Sequence, residues 1–132
     1  MVVENSGLLT VAALKHLEVE DKKVVSILSG GNMDVITMSS VVQQGLIMRD
    51  RIFTVSVLLP DKPGELCRVS GVIADNDGNV IKLEHNQFVS INRNAAVELR
   101  ITMEAFGTEH KNQIIAALEK GGYQPRLMPT VI

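Results

Sequence analysis

Residues 51–74 read RIFTVSVLLPDKPGELCRVSGVIA, and two hydrophobic rhythms meet inside them. From Arg51 to Leu59 polar and apolar residues alternate with period two, the pattern of a strand buried on one face. Pro60-Asp61-Lys62-Pro63-Gly64 breaks that pattern. From about Glu65 to Ala74 the period lengthens, so that Leu66, Val69, Val72 and Ile73 share one side of a helix. A strand, a proline-glycine turn and a helix open a βαβ unit.

The segment that follows completes two such units. Asp75–Gly78 (DNDG) is a turn. Asn79 to Ile91 is a long alternating strand whose apolar members are Val80, Ile81, Leu83, Phe88, Val89 and Ile91, and Asn92-Arg93-Asn94 is a hairpin loop. Ala95–Ala105 returns antiparallel, with Val97, Leu99, Ile101 and Met103 on one face. A helix over Thr108–Lys120 is expected to be capped by Thr108 and stopped by Gly121-Gly122, and Tyr123 to Met128 is a last strand. The order βαββαβ, with right-handed crossovers, predicts a four-stranded antiparallel sheet with both helices on one face. That is an α+β fold of ferredoxin-like architecture.

Residues 1–47 have another character. Gly7 to Leu17 (GLLTVAALKHL) is apolar around most of its circumference, which predicts a short buried helix with Ser6 as its cap. Val24–Leu28 (VVSIL) predicts a buried strand ending in Ser29-Gly30-Gly31-Asn32. Asp34 to Gln44 is a second helix, closed by Gly45. This α-β-α segment holds one strand, and a lone strand leaves its backbone donors and acceptors unpaired. Residues 1–47 are therefore expected to be a remnant of a larger α/β domain, and 48–132 a domain in their own right. Without the missing strands, the first segment is expected to pack on the second or on a neighbouring chain.

Composition narrows the function classes. Among 132 residues 45% are hydrophobic and 21% charged, which is globular composition. Aromatics are only 3%, so the core must come from Val, Ile, Leu and Met, and platforms for stacking bases are lacking. The net charge of −2 gives no footprint for a nucleic-acid partner. Apolar runs are too short to span a bilayer, MVVENSG has no signal-peptide pattern, and the single Cys67 fits a reducing compartment, so a cytoplasmic location with no membrane partner is expected. Cys67 is expected to be a partly buried hydrophobe, and Met33, Met38, Met48, Met103 and Met128 packing residues. His16, His85 and His110 sit on different elements without ligand spacing, so no metal site is expected.

The turn Leu59-Pro60-Asp61-Lys62-Pro63-Gly64-Glu65-Leu66, of the form D-x-P-G-x-L, together with Asn79-Val80-Ile81 opening the second strand, resembles the ACT domain family. The resemblance covers about residues 51–128. It implies amino-acid sensing by a homo-oligomer, a dimer or higher, paired through its sheets or helices. It implies an effector site formed by Asp61, Lys62, Pro63, Gly64, Glu65 and Leu66 of one chain, completed by Asn79, Val80 and Ile81 of a partner chain. The chemistry is independent of the likeness: a helix N-terminus offers free backbone N–H groups to a carboxylate, and Gly64 lets a ligand approach closely. The second strand or the first helix could each supply the pairing surface.

Glu4-Asn5-Ser6-Gly7, then VVSILSGGNMD, then Leu46 resemble the tail of a fold-type II pyridoxal-phosphate enzyme, and most closely a threonine ammonia-lyase (threonine dehydratase) with one C-terminal ACT domain. That resemblance implies that Ser29, in the turn with Gly30, Gly31 and Asn32, would hydrogen-bond the pyridine nitrogen of the cofactor, with Glu4 nearby. The Schiff-base lysine in its Ser-Phe-Lys-like context and the glycine-rich phosphate loop are absent from this sequence. By itself the chain is thus expected to bind no cofactor and catalyse nothing; pyridoxal phosphate belongs to the full-length enzyme, where a branched-chain amino acid such as isoleucine is the expected effector. The alternative is a free-standing ACT module that binds an amino acid or dimerises and acts in trans.

Overall fold

The computed structural model describes residues 1–86 and 96–131, and the chain divides into two units, Met1–Val42 and Gln43–Ile132. In the first, the helix expected over Gly7–Leu17 is a short α1 (Leu9–Ala13) between 3₁₀ turns at Asn5–Leu8 and Leu14–His16. It is exposed rather than buried, with Leu9 67% accessible. Ser6 does not cap it; its hydroxyl donates to Glu4 Oε1 at 2.8 Å. Val24–Leu28 forms no strand, and Val25 and Ile27 are exposed. The reason is the missing partner: β-branched residues favour extended backbone, but a ladder needs a second strand.

Helix α2 (Val35–Met48) overruns its expected end at Gln44 and passes through Gly45. Asp34 starts it, its carboxylate accepting the Thr37 N–H at 2.8 Å and the Thr37 hydroxyl at 2.6 Å. These bonds hold the Asp34 carboxyl below its ordinary range. The stop comes five residues after Gly45. Asp50 adopts φ 53°, its N–H donates to Ile47 O at 3.0 Å, and the Arg51 N–H donates to Leu46 O at 2.8 Å. That pair of bonds is a Schellman closure with Asp in the left-handed position that glycine usually takes.

The second unit is built on strand β1 (Ile52–Pro60), which pairs antiparallel with β3 (Ala96–Glu104) from Ile52↔Glu104 to Pro60↔Ala96. Between them in sequence lie helix α3 (Glu65–Ala74) and strand β2 (Asn79–Asn86), and after them helix α4 (Thr108–Lys120) and strand β4 (Arg126–Met128). The sheet order is β2-β3-β1-β4, antiparallel throughout. This is the expected ferredoxin-like α+β fold. Phe53, Val55, Val57 and Leu59 of β1 and Leu99, Ile101 and Met103 of β3 point to one face, where Val69, Ile73, Ile114 and Leu118 of the two helices close the core. On the opposite face Thr54 and Thr102 hydroxyls share a hydrogen bond of 2.9 Å, and Ser56 Oγ donates to Glu98 Oε1 at 2.7 Å. The Ser56 bond leads the influences that hold the Glu98 carboxyl below its usual range.

Several local expectations are corrected. Leu66 and Cys67 on α3 are exposed; Val69 and Ile73 of that helix are buried in the core and Val72 packs against it. Met48 is exposed, while Met103 is fully buried. Strand β2, an edge strand whose one neighbour is β3, is solvent-facing along nearly its whole length. Its expected extension to Ile91 and the loop at Asn92–Asn94 lie outside the described residues. Gly107, not Thr108, occupies the cap position of α4, and the Thr108 hydroxyl donates instead to Asp50 Oδ2 at 2.8 Å. Tyr123 belongs to the end of α4 rather than to β4: its N–H donates to Leu118 O at 3.1 Å and the Gly122 N–H to Glu119 O at 3.0 Å, with Gly122 at φ 89°.

Helix α3 ends by the same device, with Asp77 at φ 56°, its N–H on Ala74 O and the Gly78 N–H on Ile73 O. The two aspartates that end helices differ in one respect. Asp50 also accepts from Lys111 Nζ at 2.7 Å, and the hydrogen bonds from Lys111 and then Thr108 hold its carboxyl below its ordinary range. Asp77→Gly should thus raise the unfolding free energy in urea by roughly 0.5–1 kcal/mol through relief of the left-handed backbone, whereas Asp50→Gly should lower it. Because the Asp50 pKa is depressed on folding, its contribution is fully present above the unfolded value near 3.8 and is lost as pH falls through the lower folded value. Asp50→Asn should accordingly flatten the acid limb of a stability-versus-pH curve.

Candidate functional site

At the end of β1, two prolines and a glycine leave the chain few conformations. The Lys62 N–H donates to Pro60 O at 2.8 Å, folding the chain back within three residues. Pro63 fixes its own φ and Gly64 supplies φ 91°, so that Gly64 becomes the cap residue of α3. No side chain caps this helix. The Glu65 N–H makes a long bond of 3.5 Å to Lys62 O, and the Arg68 N–H donates to Gly64 O at 3.1 Å. The Leu66 and Cys67 N–H groups between them lack a capping oxygen, as helix starts do until a ligand or water takes them. A Cβ placed on Gly64 would meet nothing within 4 Å, so the approach is open. Asp61, Lys62, Pro63, Gly64 and Leu66 are all exposed, and Glu65 is half-buried, paired at 3.0 Å with Arg68 one turn on.

The other expected members, Asn79, Val80 and Ile81, are not beside this turn. Asn79 pairs with Glu104, as does Ile52, so it stands level with the start of β1. The turn follows Pro60, at the far end of that strand. Eight residue steps separate the two, roughly 26 Å at ~3.3 Å per residue. The Asn79 side chain is engaged where it stands, its Nδ2 donating to Glu104 Oε2 at 2.8 Å. A register shift between Val80 and Lys82 takes Ile81 out of the ladder, and Val80 and Ile81 are exposed. One chain holds the two halves of the expected site apart.

In the first unit the expected cofactor residues do converge in part. Gly30 has φ 83°, and a Cβ there would collide with the Glu4 carboxylate; a Cβ on Gly7 would collide with the Ser29 carbonyl. Glu4 and Asn32 line one cleft with Asn5, Ser6, Met33, Asp34 and Thr37, of about 300 Å³. Ser29, Gly30 and Gly31 are exposed. The cleft presents two carboxylates and no lysine or arginine, a charge that repels a cofactor phosphate. These residues alone do not fit pyridoxal phosphate, and no chemistry through it is assigned to them.

Two features escaped the sequence. His110 accepts the Phe106 N–H on Nδ1 at 3.0 Å, and its Nε2, 2.6 Å from Asn76 O, must donate to that carbonyl. The ring is thus the neutral Nε2–H tautomer, and the Phe106 ring stacks on it at 4.9 Å. Beside Phe106 lies a cleft of about 210 Å³, lined by Leu46, Arg51, Ile52, Asp77, Asn79, Glu104, Ala105 and Phe106. Its members come from four parts of the chain, and no spacing announces them. Among the described residues no three His, Cys, Asp or Glu side chains come together as a metal site would require. Among the described residues no helix is long and apolar enough to cross a membrane.

This geometry, a two-layer βαββαβ unit with a glycine-started helix after its first strand, is that of the ferredoxin-like class of small α+β domains. A family model described as the ACT domain matches residues 53–120, and the chain belongs to that family. It is 36% identical over 125 residues to an L-threonine ammonia-lyase of Geobacter sulfurreducens, covering 93% of this chain and 31% of that protein. It is 30% identical over 129 residues to an L-threonine ammonia-lyase of Thermotoga maritima, covering 97% of this chain and 32% of that protein. A third relative, the L-threonine dehydratase biosynthetic IlvA of Haemophilus influenzae, is 30% identical over 128 residues. The chain thus spans about a third of the length of the first two relatives, 31% and 32%.

The left-handed cap gives a direct stability test. Gly64→Ala should cost roughly 1–2 kcal/mol although the side chain has room, because the backbone and not packing resists it. Gly71→Ala, in the interior of α3 with equally open surroundings, should stabilise by roughly 0.5–1 kcal/mol. Urea midpoints of the two variants against the parent chain measure both.

Proposed function

We propose that this chain is the amino-acid-sensing regulatory portion of a threonine ammonia-lyase, and that residues 1–47 are the last elements of its pyridoxal-phosphate-dependent catalytic domain. The observation that carries the reading is the start of α3, an uncapped helix N-terminus behind a left-handed glycine with open space at its Cβ. Such a terminus accepts a carboxylate. Similarity to two threonine ammonia-lyases along nearly the whole chain supplies the enzymatic context.

The separation of the turn from Asn79–Ile81 favours a site shared between two copies. Strand β2 is an exposed edge whose Val80, Ile81 and Leu83 are 37%, 44% and 37% accessible, and an edge of this kind invites a further strand. A two-fold axis would set β2 antiparallel to β2 of the second copy. Because β2 runs in the same direction as β1, that reversal carries the second copy's Asn79 end to the level of the first copy's glycine turn. Asp61 to Leu66 of one chain and Asn79 to Ile81 of the other then face one effector. A branched-chain amino acid such as isoleucine is the effector proposed, coupled to the catalytic domain by about 1–3 kcal/mol, the usual range.

Calorimetric titration with isoleucine, with valine and threonine as comparisons, tests this. Saturable isoleucine binding that is weakened by Gly64→Val is expected, since a β-branched residue at φ 91° must move the helix start. Absence of heat with all three amino acids, or binding indifferent to Gly64→Val, would overturn the assignment of the turn.

A further inference from the structure

The cleft beside Phe106 lies at the opposite end of β1 from the glycine turn and is complete within one chain. Its walls carry both signs of charge. Arg51 donates its Nε–H to Ala105 O at 2.9 Å, which aims the guanidinium along the end of β3. Among the described residues Arg51 forms no ion pair, so its terminal nitrogens are left for a ligand. Glu104 Oε2 accepts from the Asn79 amide at 2.8 Å, which leaves Oε1. Asp77, held in the left-handed turn after α3, adds a second carboxylate.

The remaining wall is apolar: Leu46, Ile52, Ala105 and the Phe106 ring. Phe106 is 74% accessible yet fixed, by its stacking on His110 and by its N–H bond to that ring. A large exposed aromatic side chain so firmly anchored at a cleft is a wall built for contact rather than a core residue. The volume of about 210 Å³ is enough to seat a single amino acid.

We propose that this cleft is a second, single-chain binding site for a zwitterionic α-amino acid with an apolar side chain. The carboxylate lies on the terminal nitrogens of Arg51, in the forked geometry guanidinium groups give carboxylates. The ammonium lies between Glu104 Oε1 and Asp77, and the side chain rests on Leu46, Ile52 and Phe106. A simple carboxylic acid would leave the two carboxylates unanswered, and a simple amine would leave the guanidinium so. This site does not depend on the shared site at the glycine turn, with which it has only Asn79 in common, from the same chain here and from the second copy there.

The test is titration of the ¹⁵N-labelled full chain with L-isoleucine, followed by NMR, with the two sites read separately. Shifts of the Arg51 Nε–H, the Asn79 side-chain amide and the Phe106 amide report the cleft, and those of the Lys62–Cys67 amides report the turn. The cleft signals are expected to move saturably and to do so in the Gly64→Val chain as well. Arg51→Met and Glu104→Gln should each weaken that response roughly tenfold or more, as removal of one charge-assisted bond does. Isoleucine methyl ester and N-acetylisoleucine, each lacking one charge, should fail to reproduce it. Cleft signals that stay still, that ignore both variants, or that answer the ester as they answer isoleucine would overturn the site. Still turn signals beside a responding cleft would count against the shared site alone.

Discussion

The antiparallel pairing of β1 with β3 is the constraint on which the second unit rests. Nine residues of each strand face one another in an unbroken register, from Ile52↔Glu104 to Pro60↔Ala96. A period of two then places Phe53, Val55, Val57 and Leu59 on the same face as Leu99, Ile101 and Met103, and the two helices have one apolar surface on which to settle. A slip by one residue would turn that surface outward and bring Thr54, Ser56, Glu98 and Thr102 against the helices. The hydrogen bonds Thr54–Thr102 and Ser56–Glu98 oppose the slip from the other face. Register also sets function, because it fixes the distance between the glycine turn at one end of β1 and Asn79 and Arg51 at the other.

Helix ends are the second organising device. Helices α2, α3 and α4 all close by the same paired backbone bonds, with Asp50, Asp77 and Gly122 in the left-handed position. Each closure aims the chain at a definite partner. Asp50 turns α2 into β1 and holds Lys111 and Thr108 at the start of α4. Asp77 turns α3 into β2 and puts a carboxylate into the cleft beside Phe106. Negative charge at helix C-termini opposes the helix dipole; for Asp50 the ammonium of Lys111 offsets that cost.

The sequence disclosed most of the second unit and little of the first, for reasons visible in single residues. The bounds of α3 and α4 were legible because period and punctuation agree: Pro63-Gly64 before one and Gly121-Gly122 after the other. Gly45 misled because glycine is also tolerated inside a helix, whereas the aspartate that stops α2 is an ordinary surface residue unless its φ is known. Val24–Leu28 has strand composition, but composition cannot provide a partner strand. The glycine turn was legible as a local motif. The Arg51–Glu104 cleft was not, since Leu46, Arg51, Asp77, Glu104 and Phe106 meet only through the register of the sheet.

The functional account turns on one spatial fact, that the glycine turn and Asn79–Ile81 occupy opposite ends of the sheet in a single chain. The turn site is complete only if a second copy reverses that order across the β2 edge. Sedimentation equilibrium of the chain at saturating isoleucine measures this most directly. The expected result is a mass of two chains, or an even multiple, held more tightly with isoleucine than without it. A chain that stays monomeric throughout, even with isoleucine at saturation, would contradict the shared site.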